Sequence, residues 1–288
     1  MIALFERVAV LGLGLLGGSV ALAARERGVA TCVAGATRRR SVLEQALACG
    51  AVDETGAYSE VVREADLVVL ATPVFAMGEL AQEIAPALRE GAIVTDVGSV
   101  KSGLAETLPG LVPRNVHYVG SHPMAGSHET GFEAARADLF EGAVCVVMAG
   151  GDVAARERVA GFWRALGARV VLREPAQHDA EVAWASHVPH ALAFSFAEAF
   201  GAAPEDARDV AGPGFRDFTR IAHSDPELWA EILTENRKAV AAPLQALVGS
   251  LEALARAIEA NDAEAVEKIV AAGRAALARG ASRGPEGS

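Results

Sequence analysis

The first 174 residues alternate short apolar runs with longer segments of mixed polarity. The most continuous apolar runs are residues 7–12, 32–35, 66–71 and 92–95. The segments with helical spacing between them include residues 15–28 and 41–49. Strands that are apolar on both faces are typical of a parallel sheet covered by helices on both sides. The pattern therefore predicts an α/β fold with a doubly wound parallel sheet, extended by strands at residues 117–119, 143–148 and 169–172.

The pattern changes after residue 174. Strand-like runs give way to long segments in which apolar residues recur at helical spacing, at residues 179–200, 228–254 and 262–278. We therefore predict a first domain at 1–174 and an all-α domain at 175–279. The tail at 280–288 contains one alanine and otherwise glycine, serine, arginine, proline and glutamate, so we expect it to be disordered.

A glycine-rich segment, Gly12-Leu13-Gly14-Leu15-Leu16-Gly17, joins the first predicted strand to the first predicted helix. In such a turn the first glycine permits the bend, the second lets the backbone approach a pyrophosphate, and the third lets helix and strand pack closely. This arrangement predicts a Rossmann-like dinucleotide-binding domain. The residues expected to contact the cofactor here are Gly12, Gly14, Leu15, Leu16 and Gly17, together with Thr72 and Pro73 after a later strand.

The end of the second predicted strand indicates which dinucleotide binds. An acidic residue there would bind the ribose hydroxyls of NAD. This chain instead has Thr37 followed by Arg38 and Arg39, groups suited to the 2′-phosphate of NADP. We therefore favour NADP, with NAD as the alternative; a solvated run of charges before a helix would also account for the arginines.

Composition limits the other partners. A net charge of -11 argues against a general nucleic-acid surface, and no uncharged run is long enough to span a membrane. The three cysteines lack metal-type spacing, and no metal is predicted. No signal-peptide pattern precedes the first strand, so we expect a cytoplasmic protein.

Four further segments carry candidate chemistry. They are Asp-Val-Gly-Ser-Val-Lys at 96–101, Ser-His-Pro-Met-Ala-Gly-Ser at 121–127, Ser-His-Val-Pro-His at 186–190 and Phe-Arg-Asp-Phe-Thr-Arg at 215–220. His122, in what reads as a small-residue turn, would place a proton acceptor near a hydride acceptor. In this order, and with the glycine turn, the segments resemble the prephenate and arogenate dehydrogenase family of tyrosine biosynthesis, from about residue 7 to 275.

The resemblance implies oxidative decarboxylation of prephenate to 4-hydroxyphenylpyruvate. It implies that His122 is the base, that Ser99 hydrogen-bonds the substrate hydroxyl or the histidine, that His190 binds substrate and that Arg220 binds a carboxylate. The further substrate-binding residues it implies are Lys101, Ser127, His128, His187, Asp217 and Trp229. Some of these have ordinary structural alternatives: His122 could be a turn histidine bonded to backbone, and His187 is more readily structural than His190.

Ser127 and His128 bear on the choice of substrate. Arogenate carries an ammonium where prephenate has a keto group, and a histidine would not attract that ammonium, so prephenate is the first choice. Arogenate, or dual specificity, is the alternative. Family members dimerise through the helical domain, which implies a homodimer here.

Two other classes of protein remain as alternatives. A β-hydroxyacid dehydrogenase or pyrroline-carboxylate reductase also joins a Rossmann half to a helical half. A non-catalytic nucleotide-sensing module would keep the glycine turn without needing His122, Ser99 and Arg220 together.

Overall fold

The computed structural model describes residues 3–126 and 129–281. These residues form two compact units, divided between Arg237 and Lys238. The first unit contains both sheets and the helices that follow them. The second consists of the last two helices of the described chain.

A six-stranded, fully parallel sheet forms the centre of the first unit, with the order β3-β2-β1-β4-β5-β6. Its strands are β1 (Phe5–Leu11), β2 (Ala30–Ala36), β3 (Glu54–Thr55), β4 (Leu67–Leu70), β5 (Ile93–Asp96) and β6 (His117–Tyr118). The helices between them are α1 (Leu15–Glu26), α2 (Arg40–Ala48), α3 (Tyr58–Val61), α4 (Val74–Ile84), which a 3₁₀ turn at Ala85–Ala87 extends, and α5 (Ser102–Leu111). The predicted doubly wound α/β fold is confirmed.

Each central strand is buried on both faces. Val8 and Val10 of β1 belong to one apolar layer with α1 and α2, whereas Ala9 and Leu11 belong to the opposite layer with α4 and α5. Because strand side chains alternate between faces, near-continuous apolar runs are needed to fill both layers. The topology reverses between β1 and β4, and ligands of such sheets bind beside the carboxyl ends of the strands there.

A second sheet of three strands follows, with the order β7-β8-β9. Its strands are β7 (Ser121–Pro123), β8 (Val144–Met148) and β9 (Arg169–Arg173), with a 3₁₀ turn at Phe132–Ala134 and helix α6 (Val153–Ala165) between them. The predicted extension of the main sheet is confirmed for β6 but was wrong for β8 and β9, because an apolar run does not specify which sheet edge it joins. The segment around His122, predicted as a turn, is a strand antiparallel to β8.

The chain is helical after β9. The helices are α7 (Pro175–Val182), a π-helical turn (Ala183–His187), α8 (Val188–Phe200), α9 (Pro213–Thr219), α10 (Pro226–Glu235), α11 (Arg237–Glu259) and α12 (Ala263–Ala281), with 3₁₀ turns at Glu205–Arg208 and Arg220–His223. The segment predicted as continuous at 228–254 is two helices, which break at the buried Asn236.

The second unit is a helical hairpin. Helices α11 and α12 meet at a turn in which Asn261 has a φ of 53°, a conformation that asparagine tolerates better than most residues. Helix α12 reaches Ala281, so Gly280 and Ala281 of the predicted disordered tail are helical. Residues 282–288 of that tail lie outside the described residues. No helix in the described ranges is both long and apolar enough to cross a membrane.

Candidate active site

The glycine turn between β1 and α1 has the features that a bound pyrophosphate requires. Gly12 has a φ of 103°, and a Cβ there would lie 2.5 Å from the carbonyl oxygen of Ala71. A Cβ on Gly17 would lie 1.8 Å from the carbonyl oxygen of Gly12. At Gly14 a Cβ would meet nothing within 4 Å, so this glycine faces open space at the start of α1. The free N–H groups of that helix end can then receive phosphate oxygens.

Thr72 supplies a second sign of a ligand at the same sheet edge. It follows β4, the neighbour of β1, and precedes Pro73 at the start of α4. Its hydroxyl oxygen is buried and has no hydrogen-bond partner within the part of the chain that the structure describes. Buried polar atoms are nearly always hydrogen-bonded in complete assemblies. The open Gly14 and the unsatisfied Thr72 hydroxyl both fit a dinucleotide.

The predicted 2′-phosphate residues lie after β2. Thr37 is half-buried, and Arg38 and Arg39 are exposed. In the described ranges neither Arg38 nor Arg39 forms an ion pair, whereas Arg40 pairs with Glu44 at 3.0 Å. Two cations without a protein counter-charge therefore lie at the strand end where the cofactor ribose binds in folds of this type.

The side chain of His122 is buried on β7, and only 7% of the residue is exposed. Its Nδ1 lies 2.8 Å from Nε2 of His178 on α7. The other nitrogen of His178, Nδ1, lies 2.8 Å from a carboxylate oxygen of Asp179. His122 is thus the end of a hydrogen-bonded row of three side chains that crosses from the small sheet to the first helix after it.

His178 and Asp179 were not among the predicted site residues. The sequence does contain a signal for them. His178 and Asp179 lie four and three residues before the apolar Val182, which places them on the same face of the helix. Periodicity alone does not distinguish such a pair from a solvent-facing one. Both residues are buried where α7 packs against α5 and where His178 meets His122 of β7.

The environment of this row favours a neutral His122. Burial holds the pKa of His122 well below its ordinary value of 6.5. Positive charge at His178, Lys101 or His187 acts in the same direction. A neutral imidazole can accept a proton, as a general base must.

The environment of Asp179, in contrast, favours its charged form. Burial by itself would raise the pKa of this carboxyl, but hydrogen bonds from His178 and Ser102 outweigh burial and lower it. Its two oxygens accept the backbone N–H groups of Lys101 and Ser102, both at 2.8 Å. Asp179 is therefore an ionised group at the amino end of α5.

Lys101 lies beneath the site rather than in it. Its side chain is completely buried, forms an ion pair with Asp96, and donates to the carbonyl oxygen of Ser121 at 2.9 Å. The predicted substrate contact was wrong for this ammonium, which has no accessible surface and needs a buried counter-charge. Lys101 instead joins the end of β5 to β7, which carries His122.

Ser99 directly precedes Val100, which packs against Trp229. Ser99 is half-buried and forms no hydrogen bond among the described residues; His122 bonds to His178 instead. Val100 packs in a small apolar cluster with Trp229 and Ile232 of α10. This cluster brings the Ser99 turn next to the helical segment.

His190 stacks on Trp229, with ring centroids 3.7 Å apart and planes 19° apart. Its Nδ1 lies 2.8 Å from the carbonyl oxygen of Ser186, and the ring is half-buried. Burial lowers the pKa of His190 most, the bond to Ser186 opposes that shift, and the nearby Arg220 guanidinium adds to it. His190 and the exposed Arg220 are therefore close enough to act on one ligand.

His187 is structural in its contacts. It is 1% exposed, and its Nδ1 lies 3.0 Å from the side-chain amide of Asn236, which also donates to the carbonyl oxygen of Asp179. Burial lowers the pKa of His187 to about 4. The predicted direct substrate contact is wrong for this enclosed ring, and the structural alternative describes it.

The remaining predicted residues are less connected. Asp217 is exposed and forms no ion pair with Arg216 or Arg220 within the described ranges, so its substrate-binding role stays a prediction. Arg216 donates to the carbonyl oxygen of Ala211 at 2.9 Å. Ser127 and His128 lie outside the described residues.

Contacts link the elements that carry these groups: Lys101 bonds to the strand of His122, Val100 packs against Trp229, and His190 stacks on Trp229 near Arg220. His122 and Ser99 come from the strand ends, and His190, Trp229 and Arg220 come from the helices. The described residues contain no group of three His, Cys, Asp or Glu side chains arranged to hold a metal ion. Such a set of groups can remove a proton from a hydroxyl while binding an anionic substrate.

Comparisons with known proteins cover nearly the whole chain. Residues 20–172 match the family model of the prephenate dehydrogenase nucleotide-binding domain, and residues 174–272 match that of the prephenate dehydrogenase dimerization domain.

Individual relatives agree with these matches. The chain is 33% identical over 267 residues to a cyclohexadienyl dehydrogenase of Zymomonas mobilis, covering 90% of this chain and 91% of the relative. It is 32% identical over 267 residues to a prephenate dehydrogenase of Bacillus subtilis, covering 90% and 72%. The crystal structure of prephenate dehydrogenase from A. aeolicus with hydroxyphenyl propionate and NAD+ superposes with a TM-score of 0.85, at 30% identity, covering 94% of this chain and 97% of that one.

Proposed function

Because this chain belongs to the prephenate dehydrogenase family of NAD(P)-dependent oxidoreductases, we propose that it converts prephenate to 4-hydroxyphenylpyruvate by oxidative decarboxylation. The observation that carries the proposal is the buried, neutral His122 at the end of the small sheet. Its position beside the Ser99 turn fits removal of a proton from a ring hydroxyl.

The reaction divides into two parts. Gly12, Gly14 and Thr72 would hold a nicotinamide dinucleotide, which would supply the acceptor for a hydride from the ring carbon that carries the hydroxyl. His122 accepts the hydroxyl proton at Nε2, so the C–O bond becomes a carbonyl. The ring carboxylate then leaves as carbon dioxide, and its bonding electrons make the ring aromatic and convert the carbonyl to a phenolate. The phenolate takes the proton back from His122, which gives the phenol of the product and restores the neutral imidazole. His122 is thus needed in its neutral form, which its burial favours.

The other residues bind and orient the substrate. Ser99 is proposed to hydrogen-bond the reacting hydroxyl, since its own hydroxyl forms no hydrogen bond among the described residues. His190 is held in one orientation by Trp229 and by the Ser186 carbonyl. Arg220, exposed and close to His190, is proposed to bind a substrate carboxylate.

Arogenate is the second candidate substrate. The observation that favours it is the similarity to a protein named cyclohexadienyl dehydrogenase at 33% identity. Prephenate remains our first choice because of His128, which would not attract the arogenate ammonium.

We propose NADP as the preferred cofactor. Arg38 and Arg39 support this proposal, since they lack carboxylate partners in the described chain and follow the strand where the ribose binds. NAD is the alternative, and the similar A. aeolicus structure contains NAD+. We also propose a homodimer joined through the helical residues 179–275, which overlap the matched dimerization domain.

One assay tests the proposed reaction. Purified protein is mixed with prephenate or arogenate and with NAD+ or NADP+, and formation of the reduced cofactor is followed by absorbance. The largest kcat/KM is expected for prephenate with NADP+. Absence of turnover with both substrates would overturn the assignment, and a larger kcat/KM for arogenate would replace the first substrate by the second.

A further inference from the structure

A row of three buried side chains leads away from the proposed base. Asp179, His178 and His122 are 4%, 1% and 7% exposed. Both links in the row are 2.8 Å long, and they join one carboxylate oxygen to Nδ1 of His178 and then Nε2 of His178 to Nδ1 of His122. The row connects α7 to β7, so it depends on packing between distant parts of the chain.

The partners of Asp179 determine where the protons lie. Its carboxylate accepts the backbone N–H groups of Lys101 and Ser102, which can only donate. An ionised carboxylate with these donors makes His178 donate from Nδ1. In a neutral His178, Nε2 is then an acceptor, so His122 donates to it from Nδ1. The lone pair of a neutral His122 is thereby assigned to Nε2.

We infer that His178 and Asp179 are positioning residues for His122: they fix its proton on Nδ1, and His178 takes over that proton when His122 accepts another from substrate. The inference rests on the proposed function, in which Nε2 of His122 accepts the hydroxyl proton. That proton forms a new bond to Nε2, and the Nδ1–H bond of His122 breaks as an Nε2–H bond of His178 forms. The charge therefore comes to lie on His178, which donates from Nδ1 to the Asp179 carboxylate.

The charges around the row explain why such a transfer helps. An imidazolium on His122 would be buried near the Lys101 ammonium, and both like charge and burial oppose it. On His178 the same charge lies next to a carboxylate, which favours it. The transfer moves positive charge away from Lys101 and toward Asp179.

Several titratable groups face His178 and enter its pH dependence. They are His122 on β7, Asp179 and Glu181 on α7, and His187 in the π-helical turn; Lys101, before α5, acts on His122. A pH profile that isolates His178 therefore has to compare proteins that differ only at this residue.

The first test reads the proton positions without substrate or cofactor. Protein labelled with ¹⁵N at histidine is studied by long-range ¹H–¹⁵N NMR, and the His122 signals are identified by their loss in His122→Asn. The wild-type spectrum is expected to show a neutral His122 with its proton on Nδ1, and His178→Phe is expected to lose that preference. A wild-type His122 protonated on Nε2 would overturn the inference, whatever the substrate of the enzyme is.

The second test separates orientation from proton transfer. In His178→Gln the amide oxygen can still accept from His122 but cannot take up a proton, whereas His178→Phe removes both functions. We expect kcat to fall about 10-fold with glutamine and about 100-fold with phenylalanine, the scale of a general-base contribution. KM is expected to change less than about threefold, since His178 is not proposed to contact the substrate. His117→Gln, on β6, is the matched control, with unchanged kcat.

The pH profile provides the final criterion. In the wild type, acid adds a proton to the His122–His178 pair, where Asp179 stabilises it. In His178→Gln the proton must bind His122 alone, so the acid limb of kcat/KM is expected to move to lower pH. Unchanged kcat and an unmoved acid limb in a folded His178→Gln protein would overturn the relay. If the wild type oxidises neither proposed substrate, the proposed function fails while the NMR result still decides the tautomer.

Discussion

The chemistry of His122 depends more on its surroundings than on its residue type. An exposed histidine titrates near pH 6.5, whereas burial on β7 keeps this one neutral well below that pH. The hydrogen bond to His178 then decides which ring nitrogen has the lone pair. Lys101, completely buried and paired with Asp96, shows the same dependence on environment, because a cation expected at the substrate is instead part of the framework.

We predict that His122→Asn lowers kcat by about 100-fold or more, the usual effect of losing a general base. Cofactor affinity should change little, since the glycine turn lies on β1 and α1. Steady-state kinetics and cofactor titration by fluorescence measure the two effects. His117→Asn is the control, and near-normal turnover of His122→Asn would remove the base assignment.

A second prediction concerns Arg38 and Arg39. Replacing both by alanine should weaken NADP binding about 10- to 100-fold, the range for losing charge-assisted hydrogen bonds, with a much smaller effect on NAD. Isothermal titration with each dinucleotide measures the difference. Arg40→Ala is a matched control, because Arg40 already pairs with Glu44. Equal weakening of NAD and NADP would instead support a solvated charge run.

A carboxylate on α7 caps the amino end of α5. Helix α5 has no side-chain cap of its own, and Asp179 of α7 accepts the N–H groups at its start. Negative charge is favourable at a helix amino terminus, where backbone N–H groups lack partners within the helix. Similarly, Glu231 of α10 accepts the backbone N–H of Phe75 near the start of α4. Two helices of the nucleotide-binding fold thus begin against acids of the later helical segment.

We predict that Asp179→Ala destabilises the protein by about 3 kcal/mol at pH 7, because it leaves buried donors without partners. The folded-state pKa of Asp179 is lowered from its ordinary 3.8, so its stabilising contribution is complete above that pH and is lost as pH falls through the folded-state value. Denaturant unfolding of wild type and variant at pH 7 and at acid pH measures the difference, which should shrink in acid.

Asp206→Ala is the control for this experiment, since Asp206 is exposed. Its stability should lie close to that of the wild type at both pH values. A difference between wild type and Asp179→Ala that stays constant on acidification would show that the ionised carboxylate is not responsible.

The molecule leaves apolar residues exposed in its second compact unit. Val270 and Leu277 of α12 are 63% and 82% exposed, and Ile258 of α11 is 62% exposed. Large apolar side chains that are exposed near one another on a single subunit commonly mark a surface that binds another protein. Their location within or close to the matched dimerization domain supports the proposed homodimer.

We predict that Val270→Asp converts the dimer to monomer at micromolar concentration, because an interface would enclose an unpaired carboxylate. Size-exclusion chromatography with light scattering measures the mass. Ala275→Asp introduces the same charge on α12, about 140° around the helix from Val270, and should leave the dimer intact. A Val270→Asp protein as dimeric as the Ala275→Asp control would exclude this face from the interface.

Features that depend on residues close together in the chain could be predicted from the order of amino acids alone. Continuous apolar runs predicted the parallel sheet, and the glycine spacing in one strand–helix turn predicted the nucleotide-binding domain. The family was also evident from the linear order of short motifs. The choice of strands in the second sheet and the pairing of buried polar groups depend on tertiary packing. His178 meets His122 across 56 residues, and Lys101 meets Asp179 across 78. Such contacts depend on how packed elements meet in space, and no local periodicity encodes that.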